Sequence, residues 1–201
     1  DIRPLWNILI GFPREEDEAI FEKYLADIPR LVHLPPPGGV ATVAFQRYSP
    51  YHVKAAEYGL DLRPAEYFSY IYPFREEVLM DLVYYFSDAN LSAPYAVITA
   101  KWAGPLRDAV RRWQERWWGP DAGPKPELRF LGDATVLDSR SGVPVTHVLS
   151  PLADELLRCL ETPKKLAQLA AQLPHVQADD LEREIRGLAE LGLVFNEGEQ
   201  A

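Results

Sequence analysis

Apolar positions along this chain change their period several times, and each change predicts an element. Ile8, Leu9 and Ile10 form a short unbroken apolar run that ends at Gly11 and Pro13. Such a run fits a strand covered on both faces, as in a parallel sheet, and Pro13 cannot extend a strand ladder. Over 15–34 the spacing becomes three and four: Ile20, Phe21, Tyr24, Leu25, Ile28 and Leu31 share one helical face. Glu15, Glu16 and Asp17 suit the positive N-terminal end of that helix. The run Pro35, Pro36, Pro37, Gly38, Gly39 stops it. Over 40–48 the pattern alternates, with Val43, Phe45 and Arg47 on one face and Thr42, Ala44, Gln46 and Tyr48 on the other, which predicts a second strand. Strand, helix and strand make a βαβ unit, for which a right-handed parallel crossover is the default. Two strands are too few for a sheet, so further strands are expected from a region upstream.

Periodicity then fails over 49–74, an irregular connection rich in rings: Tyr51, Tyr58, Tyr67, Phe68, Tyr70, Tyr72 and Phe74. Connections this long are functional or form a packed loop. A helix is expected over 75–86 (Val78, Leu79, Leu82, Val83, Phe86). Another is expected over 105–118, begun by Pro105 and buried along Leu106, Val110, Trp113 and Trp117. A linker over 121–126 separates a first domain, 1–120, from a second, 127–201. In the second, 128–130 and 135–137 flank Gly132 and Asp133 as a hairpin, and 143–149 supplies a third strand. Ser150-Pro151 and Thr162-Pro163 each read as a helix start, and a third helix over 178–191 ends at Gly192. Leu193, Val194 and Phe195 are the expected closing strand. Strand, three short helices and strand is a winged-helix order.

Charge and composition narrow the function classes. Of 201 residues 30 are acidic and 21 basic, a net charge of −9, which disfavours nonspecific nucleic-acid binding. Acidic side chains also outnumber basic ones on the third helix of the winged-helix order: Asp179, Asp180, Glu182, Glu184 and Glu190 against Arg183 and Arg186. A helix that faces phosphates needs the opposite sign, so DNA binding is the weakest of the readings. Trp113, Trp117 and Trp118 beside Arg107, Arg111, Arg112 and Arg116 could stack on nucleic acid, but helical spacing favours core. No run approaches the roughly 18 apolar residues of a membrane-spanning helix. One cysteine, Cys159, permits no internal disulfide and fits a cytoplasmic setting. His33, His52, His147 and His175 show no metal-ligand spacing, so no metal site is expected within this chain. The chain begins at Asp1 and its one methionine is Met80, which again suggests the later part of something larger.

Taken in order, the segment from Trp6 to Pro13, then Pro29, His33 and the prolines after it, then Arg47-Tyr48-Ser49-Pro50-Tyr51, Tyr58-Gly59-Leu60, Tyr72-Pro73 and Leu82 to Phe86 resemble one family. It is the cobalamin-binding radical S-adenosylmethionine enzymes that mature ribosomally made peptides, often as C-methyltransferases. The likeness runs over about 5–90, and Asp138-Ser139-Arg140 ahead of the winged helix is similar to that family's end. It implies an α/β fold: late strands of a partial TIM-type barrel followed by a small α+β winged-helix-like domain. It also implies S-adenosylmethionine, a 4Fe-4S iron–sulfur cluster and cobalamin in the full-length enzyme, held mainly by a missing N-terminal region, with none bound by this chain alone and a peptide precursor as the partner. A cofactor-derived radical would abstract hydrogen, and methylcobalamin would deliver the methyl group. Where the family usually has glycine, position 14 here is Arg14.

Site residues follow from both readings. Ile10, Gly11 and Phe12 are candidates to pack backbone and apolar edge against the adenine of the cofactor, though an ordinary buried strand with a turn glycine looks the same. Arg47 could hold a carboxylate or fix the peptide, or lay its stem on aromatic neighbours. Ser49 and Tyr51 are candidate substrate contacts or plain turn residues. His33 and His52 could act as acid or base, or be satisfied loop residues, and Asp138 and Arg140 are expected to pair or cap within the second domain. A stand-alone peptide- or protein-binding module is the alternative from another class, and a transcription regulator a third.

Overall fold

A computed structural model describes residues 4–195. The chain divides into two units. One comprises the described residues up to Ile28 with Pro35–Gly123, the other Pro29–Leu34 with the described residues from Pro124 onward. The fold is mixed α/β, with three small sheets and no closed barrel among the described residues.

In the first unit β1 (Ile8–Ile10) leads to α1 (Glu18–Leu31) and back to β2 (Val40–Thr42), which pairs with β1 in parallel, Ile8 opposite Val40. The expected long strand over 40–48 is broken in two. β2 stays on β1, while β3 (Phe45–Gln46) pairs antiparallel with β5 (Tyr85–Asp88) of another sheet. Alternation runs unbroken through the change of partner, so the pattern does not reveal it. The ladders do: Val43 N donates to Ile10 O at 2.9 Å, and Arg47 N to Tyr84 O at 2.8 Å.

The ring-rich connection is more regular than its composition suggests. It holds α2 (Pro50–Val53), a 3₁₀ turn over Ala55–Tyr58, β4 (Leu62–Pro64) and α3 (Tyr67–Ile71). β4 lies on the other side of β5, giving the order β3-β5-β4. α4 (Glu76–Leu82) ends before the expected stop, because Val83 turns extended and Phe86, expected on the helix, enters β5. Phe45, Leu60, Leu79, Val83, Phe86 and Tyr95 close over this sheet as one core. α5 (Pro94–Trp118) begins well before Pro105, which lies inside it rather than in its first turn. Pro105 has no N–H to donate to Lys101 O. Burial of Tyr95, Ala103, Leu106, Ala109, Val110 and Trp113 carries the helix across that gap.

In the second unit β6 (Leu128–Gly132), β7 (Thr135–Asp138) and β8 (Val145–Val148) form an antiparallel sheet in chain order. Asp133 and Ala134, at φ 50° and 54°, make the tight hairpin turn whose backbone matches strand twist. α6 (Pro151–Cys159) starts as expected, with Ser150 Oγ accepting from Ala153 N at 3.0 Å. The second helix does not start at Thr162-Pro163. α7 (Leu166–Gln172) begins after Lys165, whose backbone N–H donates to Gln168 Oε1 at 2.9 Å. α8 (Ala178–Glu190) ends at Gly192, φ 66°, where Leu193 N returns to Leu188 O at 2.9 Å. That helix-closing bond curls the chain, and 193–195 form no strand. Leu193 and Val194 pack instead against the core of Val136, Leu149, Ala153, Leu156, Leu169, Leu173, Leu181 and Leu188. No helix among the described residues is long and apolar enough to cross a membrane.

Candidate functional site

The end of β1 is a closed corner. Ile10 is fully buried and its carbonyl accepts from Val43 N. Gly11 sits at φ 81°, and a Cβ there would meet Thr99 Oγ1 of α5 at 3.2 Å, so both backbone freedom and close packing require glycine. Gly11 N and Phe12 N donate to the same carboxylate oxygen, Glu15 Oε2, at 3.1 and 3.3 Å. Glu15 N closes a turn onto Phe12 O at 2.9 Å, with Pro13 second and Arg14 third at φ 74°. That is the left-handed position of a type II turn, where glycine costs least. Arg14 holds it by donating to Glu57 O at 2.5 Å and lying 4.9 Å from the centroid of the Tyr58 ring. Of Ile10, Gly11 and Phe12, only Phe12 has surface to offer an adenosyl group.

Through Arg14 the corner reaches the ring-rich connection. Tyr58 meets Tyr51 edge-on at 4.9 Å, and Tyr51 meets Phe45 at 5.8 Å. Ser49 caps α2, its Oγ accepting from His52 N at 3.3 Å. Arg47 turns elsewhere. Its Nε donates to Val83 O at 2.6 Å and its Nη2 to Met80 O, with the guanidinium 5.3 Å from the Phe86 centroid. It therefore satisfies carbonyls at the end of α4, where a cation also suits the helix dipole. His52 packs 4.8 Å from Phe86, and its Nδ1 is buried without a partner. Scans against family models, curated proteins and solved structures each return no match to this chain.

Three residues of this arrangement escaped sequence reasoning: Glu15 as acceptor, Thr99 as the wall beside Gly11, and Glu57 as the anchor of Arg14. Only the Pro13-Arg14-Glu15 order hinted at a turn. Among the described residues no group of three or more His, Cys, Asp or Glu side chains is placed to hold a metal ion. Cys159 ends α6, half-buried, with Lys164 Nζ on its carbonyl. Trp113 is buried, so it is not available to stack on a nucleic acid, whereas Trp118 is exposed.

In the second unit Asp138 and Arg140 do pair, and more is built on the pair than sequence suggested. Asp138 accepts from Arg140 Nε at 3.0 Å and Nη2 at 2.7 Å, which holds its carboxyl below the ordinary carboxylate range. Arg140 also donates to Arg30 O, Leu191 O and Gly192 O. His33 Nδ1 donates to Arg30 O at 3.1 Å. Burial first, then the charge of Arg140, lowers the His33 pKa, while the Arg30 carbonyl and Asp138 oppose that shift. His147 Nε2 lies 3.9 Å from Asp138. Both shifts have the same sign: with a depressed pKa the folded state binds fewer protons than the unfolded chain, so acid destabilises it. Urea midpoints of the full chain are expected to fall as pH drops through the ordinary histidine range near about 6.5, then again below about 4. His33→Gln should abolish the first fall. Stability that rises between neutral pH and pH ~5 would contradict this assignment.

Proposed function

We propose that this chain is the C-terminal portion of a radical S-adenosylmethionine, cobalamin-dependent enzyme that C-methylates a ribosomally made peptide precursor. The observation that carries this reading is the parallel β1–β2 pair joined by α1 and ending in the Gly11 corner. A parallel pair of two three-residue strands, with Leu9 half-exposed, is far from the several covered strands that parallel sheets need. It fits the late strands of a barrel whose other strands come from the rest of the enzyme. Arg14 departs from the family's usual glycine, yet it stands at φ 74°, the backbone conformation that glycine adopts most readily. The second unit is the winged-helix-like tail, with its hairpin and three helices.

In this reading the cofactors are held mainly by the missing region, and the chain alone is inactive. When bound, the iron–sulfur cluster, S-adenosylmethionine and cobalamin supply the radical and the methyl group. Phe12 offers an apolar edge to the adenosyl part, Glu15 fixes the backbone of the corner, and Tyr51 and Ser49 shape the neighbouring wall. Arg47 positions α4 behind that wall. The enzyme works in the cytoplasm. The full-length protein, purified and reconstituted without oxygen, is expected to bind an iron–sulfur cluster and to cleave S-adenosylmethionine reductively. Absence of any bound iron and sulfide after reconstitution would reject the enzyme reading and leave the peptide-binding module.

A further inference from the structure

The first unit contains a cleft of about 380 Å³ between β4, α3 and the start of α4. That lies within the range of small-molecule sites, about 300–1,000 Å³. Pro64, Phe74 and Leu79 give it apolar walls, and Leu79 belongs to the core beneath. Phe74 is 50% exposed, yet its ring is held. It stacks on Tyr72 with centroids 6.2 Å and planes 5° apart, and Tyr72 stacks on Phe68 at 6.4 Å and 14°. An aromatic wall ordered in advance costs a ligand little side-chain entropy.

The polar side of the cleft carries Arg63, Glu66, Ser69 and Glu76. Arg63 is already committed: it donates to both carboxylate oxygens of Asp61 at 3.0 and 3.4 Å and to Glu76 Oε1 at 3.1 Å. Glu66 is not. Its Oε1 accepts from the neutral Tyr70 hydroxyl at 2.6 Å, which orients the carboxylate, and Glu66 forms no ion pair among the described residues. Ser69 Oγ donates to Glu66 O at 2.7 Å, so its lone pairs are left to accept. Three carboxylates thus stand against one guanidinium. An entering anion would have to take Arg63 from two carboxylates while facing Glu66. A cation meets Glu66 and the negative face of Phe74.

We propose that this cleft binds a small organic cation, a free amine or guanidine on an apolar stem about the size of a phenyl ring. The charged head pairs with Glu66 and donates to Ser69 Oγ, while the stem lies on Pro64 and Leu79 against the Phe74 ring. Coulomb attraction selects the sign of the ligand, and the apolar walls select its body. The site goes beyond the peptide-methylation reading, because it uses neither the Gly11 corner nor any cofactor.

The test is titration of the isotope-labelled, full 201-residue chain with phenethylamine at neutral pH and constant ionic strength, followed by amide shifts. Its neutral and anionic counterparts, 2-phenylethanol and phenylacetate, are titrated alongside. Phenethylamine is expected to give saturable shifts confined chiefly to 63–79. The alcohol should bind about threefold more weakly or worse, and phenylacetate more weakly still. Glu66→Gln should weaken the amine by about threefold to fivefold, and Phe74→Leu, which keeps an apolar wall without the ring, by about threefold. Arg63→Gln should tighten amine binding, since it releases two carboxylates; at an anion site the same change would only weaken the ligand. All three side chains are exposed, so these changes leave the fold intact, and unchanged melting curves verify that. The three ligands on the parent chain decide the matter without any variant. Shifts absent or scattered outside 63–79, equal binding of the alcohol, tighter binding of phenylacetate, or unaltered affinity in Glu66→Gln would each overturn the proposal.

Discussion

Replacing Arg140 by Met is expected to destabilise the second unit by about 3 kcal/mol or more, the scale for breaking a buried ion pair from one side. Its side chain is 8% exposed and that of Asp138 16%. The guanidinium reaches the Asp138 carboxylate, the carbonyls of Leu191 and Gly192 past the end of α8, and the Arg30 carbonyl. Methionine would fill the volume while leaving a half-buried carboxylate and three carbonyls without this donor. Arg140→Lys should recover only part of the loss, because one ammonium cannot reproduce a planar fork. Urea unfolding followed by circular dichroism gives the energies, and hydrogen exchange over 181–190 locates them at α8. A loss below about 1 kcal/mol would place Arg140 among ordinary surface residues and refute its role as a clasp.

Trp113→Ala should cost the first unit a further large amount, about 3–5 kcal/mol. Trp113 is 2% exposed, meets Trp6 edge-on at 5.7 Å, and lies on the same face of α5 as Leu106 and Val110. Its neighbour Gln114 donates to Pro37 O and Gly38 O, so a cavity at Trp113 would also loosen the run that leads into β2. Trp118, 60% exposed, is the control, and Trp118→Ala should stay within about 0.5 kcal/mol of the parent. Chemical denaturation of the two variants side by side decides it. Equal costs would mean that α5 does not bury the face assigned to it.

Local chemistry was legible wherever a residue acts on its own neighbours. Ser150 ahead of Pro151 caps α6, Gly192 ends α8, and the Gly11-Pro13 pair ends β1, each through bonds that reach only a few residues. Arg47 shows the opposite. Its alternation on a strand face suggested a ligand fork, yet Met80 and Val83, far along the chain, take its donors. Thr162-Pro163 shows that a start signal is permissive only, since Lys165 and Gln168 supply the cap of α7. Proline misled at Pro105 in α5, whereas the helical spacing over 15–34 carried α1 through Pro29 as expected, because burial of a continuous apolar face outweighs one missing hydrogen bond.

The opening βαβ order, the helical faces and the hairpin of the second unit were determined by the sequence alone, because periodicity and turn chemistry act over a few residues. The tertiary structure alone decided which strands pair across the break after Thr42, and that Phe86 belongs to a sheet. It also decided that Glu15 and Thr99 close the Gly11 corner and that Arg140 ties together Arg30, Asp138 and the end of α8. The physical reason is common to all of these. A partner distant in sequence leaves no periodic trace, and a carbonyl at a helix end accepts whichever donor the packing brings to it.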